Sequence, residues 1–262
     1  MILFDQGATA STNPQGLIQQ AWVRYKGNTQ WPTVGSAKYL RMVMIANNLK
    51  NDWALDSHVH WDSLFANNTN IGTIVATQQS YNLPSNVFYL SDFIYILRSD
   101  GSGALDRYKV VHPEQRNDYK NNVGSLASDF GDPACYLSGS FQLGDSQMAI
   151  NFVQPFQVTN GATVTNSVDV GGTIQAGTYV LPDDMVNPTD TIPVNNPTWL
   201  VYALAAEMAR NDPAKEDQYP NLIAAANDLY QKMVLDNQGN SFQQPNGPEY
   251  VLQNPGVNWQ QF

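Results

Sequence analysis

The sequence predicts an α+β fold: a helical bundle formed by the N- and C-terminal helices, a large β-rich insertion and an extended C-terminal tail. Apolar residues recur at helical spacing near both ends of the chain, whereas the middle is rich in β-branched and aromatic residues. The last residues are rich in Gln, Asn, Pro and Gly. These observations divide the chain into an N-terminal helical part (1–66), the β-rich insertion (67–195), the C-terminal helical part of the same bundle (196–238) and the tail (239–262).

Two helices are expected in the first part. Asn13-Pro14 is a typical helix start, Gly27 ends the first helical pattern, and Ser36 is a suitable N-cap for the second. The apolar positions are Leu17, Ile18, Ala21, Trp22 and Tyr25 in the first helix, and Tyr39, Met42, Val43, Ala46, Leu49 and Trp53 in the second. Three further apolar residues widen the second face: Leu40, Met44 and Ile45. The second helix is therefore expected to have neighbours on more than one side.

The middle part contains six runs typical of strands, separated by turn signals. They cover residues 72–77, 87–97, 108–112, 134–143, 148–156 and 178–181. Leu143-Gly144-Asp145-Ser146 lies between two of these runs and is a hairpin candidate. Residues 158–170 alternate Val with polar residues, as a half-exposed strand or a mobile loop does, and 113–120 fit a short helical turn.

The third part returns to helix. Asn196-Pro197 repeats the earlier start signal, residues 199–210 are apolar on several sides, and Pro213 breaks the run. The next helix carries one apolar stripe and is expected to end within 237–239. Its stripe consists of Tyr219, Leu222, Ile223, Ala226, Leu229, Tyr230 and Met233. These side chains are expected to be mostly buried against the N-terminal helices.

The tail has too few apolar residues to hold a core of its own. We expect it to lie along another subunit, with its isolated aromatic residues as anchors; a frayed terminus is the alternative. The candidate interaction residues are Phe242, Tyr250, Trp259 and Phe262.

The charge of the chain excludes several functions. The formal net charge is -10, the isoelectric point is near 4.5, and the 13 basic residues are scattered. Binding to nucleic acid or to anionic membranes requires clustered Lys and Arg, so neither is expected. The single cysteine, Cys135, excludes an intrachain disulfide and a cysteine-based metal site. Residues 1–10 do not resemble a signal peptide, and synthesis in the cytoplasm is expected.

One cluster is a candidate for metal binding: Asp56, His58, His60 and Asp62. A spacing of two would place these side chains on one face of a strand. A catalytic zinc ion takes three protein ligands, however, and His112 is the only other histidine, so these residues are expected to cap and turn the chain after a helix.

Other catalytic constellations receive no support from the sequence. Asp183-Asp184 with Asp129 or Asp132 would suit a glycosidase, but acid pairs are expected by chance in a chain with 23 acidic residues. Ser138 lies outside a nucleophile-elbow pattern, and no phosphate-binding glycine loop is present. Cys135 is expected to be a buried small apolar residue. We therefore predict a protein that is not an enzyme, with no catalytic, cofactor-binding or metal-binding residues and no cofactor.

The order of these segments resembles a known family. Two N-terminal helices lead through Lys50-Asn51-Asp52-Trp53 and Trp61-Asp62-Ser63-Leu64-Phe65 into β-structure. A proline turn, the run from Trp199 to Met208, an Asp-Pro break and a long helix follow. This organisation, up to about residue 236, is similar to that of the head-to-tail adaptor (head-completion or connector) proteins of tailed bacteriophages.

The resemblance implies a structural virion protein located in the phage neck. It implies a ring, twelve-fold in this family, that binds the portal protein and the tail or nozzle proteins while DNA passes through the lumen without specific binding. Acidic residues lining that lumen would repel the duplex. The candidates are Asp212, Glu216, Asp217 and Asp236. The alternatives are another virion β-protein (tail tube or decoration), or a polysaccharide-active or polysaccharide-binding protein that uses exposed aromatic residues of the middle part.

Overall fold

A computed structural model describes residues 16–116, 134–143, 147–153 and 170–241. These residues form four α-helices and seven β-strands. The helices are α1 (Leu17–Lys26), α2 (Ala37–Ala54), α3 (Pro197–Arg210) and α4 (Tyr219–Ser241). The strands are β1 (Phe65–Thr73), β2 (Ser80–Asn82), β3 (Val87–Leu97), β4 (Leu105–Val111), β5 (Ala134–Ser138), β6 (Ala149–Phe152) and β7 (Thr173–Val180).

The helix ends follow local capping chemistry. Helix α1 ends at Gly27, whose φ of 73° is the left-handed conformation that glycine adopts without strain. The hydroxyl of Ser36 accepts a hydrogen bond from the backbone N–H of Tyr39 and so caps α2. Asn196 caps α3 in the same way, followed by Pro197 at the first helical position.

Helix α3 is the centre of the helical group, because it packs against α1, α2 and α4. Four small residues allow this close approach and are buried: Ala203, Ala205, Ala206 and Ala209. On its α1 side, the guanidinium of Arg24 lies 4.0 Å from the centre of the Tyr202 ring. The expected contact between the N-terminal and C-terminal helices is thus present.

The seven strands form one sheet in the order β1-β7-β3-β4-β5-β6-β2. The β4–β5 pair is parallel, and the other pairs are antiparallel. Strands β1 and β2 are consecutive in the chain yet lie at opposite ends of this order. Across a flat sheet of seven strands they would be about 29 Å apart, whereas the seven steps from Thr73 to Ser80 reach at most about 25 Å. The sheet therefore curls, and the Tyr81 hydroxyl of β2 accepts a hydrogen bond from the N–H of Val75, just beyond β1.

Two apolar cores result. The first lies among the helices and contains Trp53, Trp61 and Trp199, with Phe88 and Tyr179 of the sheet packed against it. The second lies within the curled sheet and includes Ile94, Ile96, Ile150 and Ile174.

Polar side chains of α2 fasten the segment that follows the sheet to the helices. Asn47 donates to the carbonyl of Met185 at 3.0 Å and accepts from the N–H of the same residue at 2.9 Å. Lys50, which is fully buried, donates to the carbonyls of Pro182 and Asp183 and to the carboxylate of Asp184, at 2.8 to 2.9 Å. All three ammonium protons have acceptors, so the burial of this charge is compensated.

The predicted fold class is wrong. The chain is a mixed α/β protein in which a curled seven-stranded sheet dominates the middle, rather than a terminal helical bundle that carries a β-rich insertion. The physical reason is that the strands, with their own apolar core, pair into one continuous sheet. They therefore bury much of their apolar surface within the sheet, and Phe88 and Tyr179 pack against the helical core.

Individual segments differ from expectation in smaller ways. Only Ala226 and Met233 of the predicted α4 stripe are buried, and the other five residues are half-buried. Strand β1 begins earlier than predicted, and β2 was not predicted. The short helical turn predicted within 113–120 is confirmed by a 3-10 helix at Pro113–Gln115, and 117–120 lie outside the described residues. The Asn13-Pro14 start, 158–169, the 144–146 turn and the tail from 242 onward also lie outside them.

Within the described part of the chain, none of the helices combines the length and the apolar composition that crossing a bilayer requires.

Candidate functional site

The loop between α2 and β1 carries the candidate cluster, and it is a turn rather than a strand. The carboxylate of Asp56 accepts from the backbone N–H of His58 at 2.9 Å and lies 3.1 Å from its Nδ1. The hydroxyl of Tyr230 on α4 donates to the other Asp56 oxygen. Burial opposes ionisation of Asp56, but the hydrogen bonds from Tyr230 and His58 outweigh it and lower its pKa. Asp56 therefore fastens the loop to α4, as a capping residue does.

His60 points toward the sheet instead of joining His58. Its imidazole packs on two tyrosine rings, with centroid distances of 4.7 Å to Tyr89 and 5.1 Å to Tyr179. Tyr179 pairs in register with Phe65 on one side and Tyr89 on the other, so three aromatic residues form a row across β1, β7 and β3. The ring planes are tilted by 57° and 68°, and the row is not a flat platform.

The four cluster residues do not converge on one point. The backbone N–H of Asp62 donates to Oδ1 of Asn237 at 3.0 Å, and Nδ2 of Asn237 donates to the carbonyl of His60 at 2.8 Å. Among the described residues, no group of three or more His, Cys, Asp or Glu side chains is placed to hold a metal ion.

A cleft of about 410 Å³ opens beside this loop, between β7 and the end of α4. It is lined by loop residues, one tyrosine and two amide side chains: Ser57, His58, Val59, His60, Asp62, Tyr179, Asn237 and Gln238. The exposed side chains of Tyr89 and Phe65 lie near its edge, through their ring contacts with His60 and Tyr179. The cleft offers aromatic surface, an imidazole and a carboxylate, groups that suit a small polar ligand.

The other candidate catalytic residues lie elsewhere. Asp184 forms an ion pair with Lys50, which differs from the pair of carboxylates that a glycosidase requires. Asp129 and Asp132 lie outside the described residues. Cys135 is fully buried, and burial raises the pKa of its thiol to about 12, which disfavours the thiolate form at neutral pH.

The four candidate lumen acids divide into two kinds. Asp212 accepts hydrogen bonds from Tyr25 at 2.6 Å and Lys26 at 2.7 Å, which joins α1 to the turn after α3. These bonds hold the pKa of Asp212 well below its usual range. Glu216, Asp217 and Asp236 are exposed. Only these three present a carboxylate to solvent without such an intrachain role.

Two helix faces carry exposed apolar side chains. On α2, Leu40 and Met44 are 56% and 57% exposed, although their apolar character predicted a neighbour on that side. On α4, Leu235 is 65% exposed. Sequence analysis did not single out Leu235, because an isolated leucine on a helix surface is common.

The candidate interaction residues of the tail, Phe242, Tyr250, Trp259 and Phe262, lie outside the described residues. No protein-family model matches this chain, and no curated protein is similar enough to it to count as a relative.

Proposed function

We propose that this chain is a structural assembly protein that forms a ring between portal and tail in the neck of a tailed bacteriophage. The observation that carries the proposal is the surface of the helical group. Helix α2 is closely packed on its inner side. On its outer side it exposes two large apolar residues in adjacent turns, Leu40 and Met44. Such side chains gain free energy when a second protein surface covers them.

The distribution of charge supports self-association. Five basic residues and one acidic residue lie in 17–54: Arg24, Lys26, Lys38, Arg41, Lys50 and Asp52. Lys50 is buried beside Asp184 and Lys26 pairs with Asp212, which leaves Arg24, Lys38 and Arg41 as the exposed basic residues of this region. In 197–238, six acidic residues exceed three basic ones. Opposite charge on two separate regions of one subunit favours head-to-tail contact between copies, which is the contact that builds a ring.

In this proposal the ring has twelve subunits, and Glu216, Asp217 and Asp236 are candidates to face the lumen. Carboxylates there repel the phosphates of the duplex and leave it free to move. Portal and tail proteins are the proposed neighbours on the two sides of the ring, and the virion neck is the proposed location.

Mass photometry and negative-stain microscopy of the full chain test the proposal, from low to high protein concentration. We expect rings with twelve-fold symmetry. Six-fold rings would favour a tail-tube protein instead, and a monomer at every concentration would contradict assembly.

A second candidate function rests on the cleft at His60. Aromatic rings beside an imidazole and a carboxylate are suited to binding a sugar, which is the polysaccharide-binding alternative. Binding of oligosaccharides, measured by calorimetry and lost in Tyr89→Ala but kept in Tyr95→Ala on the same strand, would support it. No binding to any glycan tested on the wild-type chain would remove it.

A further inference from the structure

The outer face of α2 combines apolar surface with positive charge. Leu40 and Met44 are one helical turn apart, and Arg41 lies three positions before Met44, so the three side chains are neighbours on one face. Met42 and Ala46 on the opposite face are fully buried in the helical core. Arg41 is exposed, and none of the ion pairs among the described residues includes it.

The outer face of α4 has the opposite charge. Leu235 shares this face with Lys232 and Asp228, which lie three and seven positions before it. Lys232 pairs with Asp228 at 2.7 Å, so these two charges balance each other. Asp236, one turn after Lys232, then gives this face a net negative charge. Ala226 and Met233, on the inner side of α4, are buried.

The two outer faces belong to different sides of the helical group. Helix α3 packs against both α2 and α4, and the inner side of each of these helices is buried in the core around it. One subunit can therefore use its α2 face and its α4 face at the same time, each against a different neighbouring copy. Pairing α2 with α2 of another copy would bring Arg41 toward its own equivalent, whereas pairing α2 with α4 brings opposite charges together.

We propose that the α2 face (Leu40, Arg41, Met44) binds the α4 face (Asp228, Leu235, Asp236) of the next copy. This inference rests on the proposed ring function, since a head-to-tail contact of this kind repeats around a closed assembly. The apolar residues supply contact area, and the charges set the direction of the contact.

Two single substitutions, one on each face, test the pairing in the full chain. Met44→Glu damages the α2 face and leaves the α4 face intact, while Leu235→Glu does the reverse. Both side chains are more than half exposed, so the fold is expected to persist, and tryptophan fluorescence checks this. Leu105→Glu, at a 53% exposed leucine on the sheet, is the matched control and is expected to assemble as the wild-type chain does.

We expect each variant alone to be monomeric at concentrations where the wild-type chain assembles, with self-association weakened by about tenfold or more. An equimolar mixture of the two should form a one-to-one dimer and nothing larger. In that dimer the intact α2 face of one variant meets the intact α4 face of the other, while the two damaged faces, both acidic, repel.

The outcomes separate the inference from the proposed function. If the wild-type chain forms rings and both variants do so equally well, the face pairing is overturned and the ring function stands. If both variants are monomeric but their mixture does not dimerise, the faces do not bind each other and the pairing is again overturned. A wild-type chain that stays monomeric overturns both.

Discussion

The helical group and the curled sheet are held together by different kinds of contact. Backbone hydrogen bonds between strands link the whole sheet, so its cohesion is spread over many residues. Helices satisfy their own backbone groups internally, so their attachment to the rest of the chain depends on side chains. Here three side chains add to the apolar packing of the helical core by donating hydrogen bonds to backbone carbonyls: Asn47, Lys50 and Trp61. Single substitutions are therefore expected to affect the helical group more sharply than the sheet.

The tryptophans provide a probe of one of the two regions. All six lie outside 67–195: Trp22, Trp31, Trp53, Trp61, Trp199 and Trp259. The first five belong to the helical core or pack against it, so their fluorescence reports on that core, whereas Trp259 lies outside the described residues. Tyrosines lie in both the helices and the strands, so near-ultraviolet circular dichroism follows the packing of the two regions together.

Lys50→Ala is expected to give the largest loss of stability, about 3 to 5 kcal/mol. The substitution leaves two carbonyls without their donor and opens a cavity in a fully buried position. Urea unfolding followed by fluorescence measures the change. Lys38→Ala, at an exposed lysine of the same helix, is the control and should change stability by less than about 0.5 kcal/mol. Equal effects of the two would show that the buried ammonium is not needed.

Ile94→Ala is expected to cost about 2 to 4 kcal/mol, because it empties a fully buried position in the sheet core. Near-ultraviolet circular dichroism during urea unfolding measures this loss. Leu105→Ala, at an exposed position on the neighbouring strand, is the control. If Ile94→Ala costs no more stability than Leu105→Ala, the burial of Ile94 in the sheet core is not what stabilises that position.

Local patterns in the sequence predicted most of the helices. Gly27 ends α1 and Ser36 caps α2 as expected, since both effects act over a few residues. Strand β3 also coincides with the predicted run 87–97. The sheet order was not predictable in this way. It brings β1 beside β7, more than a hundred residues later, and β1 is rich in Asn and Thr rather than in apolar residues.

The candidate site was partly predictable as well. The turn role of Asp56 and His58 follows from their position after a helix, and it is confirmed by the hydrogen bond between them. The packing of His60 on Tyr89 and Tyr179 depends on strand register, which no local pattern specifies. The exposure of Leu40 and Met44 likewise depends on which helices are neighbours.

Asp212→Asn is expected to change how stability depends on pH. The folded-state pKa of Asp212 is lowered by Lys26, Tyr25 and the N–H of Ala214. Its stabilisation is therefore fully present above the unfolded-state pKa of about 3.9 and is lost as the pH falls below it, through the folded-state pKa. Thermal unfolding of both chains between neutral and acidic pH measures the effect. The variant should be the less stable at neutral pH, and the difference should shrink in acid; a constant difference would contradict the assignment.

Arg98→Met is expected to give the smallest effect, about 0.5 to 1 kcal/mol. Its guanidinium pairs with Asp106 across β3 and β4, but both side chains are about one third exposed and solvent screens the pair. Urea unfolding in low and high salt measures it. A loss as large as that of Lys50→Ala would mean that polar contacts fasten the sheet as strongly as they fasten the helices.

The curl of the sheet has a consequence for unwanted aggregation. An open sheet ends in two strands whose unpaired backbone groups can template pairing with another chain. Here the chain that leaves β1 crosses directly to β2, and β1 itself is irregular, with register shifts on both sides of Thr69. Such bulges twist an edge away from a regular pairing geometry. The irregular β1 is therefore a poor template for pairing with a strand of another chain.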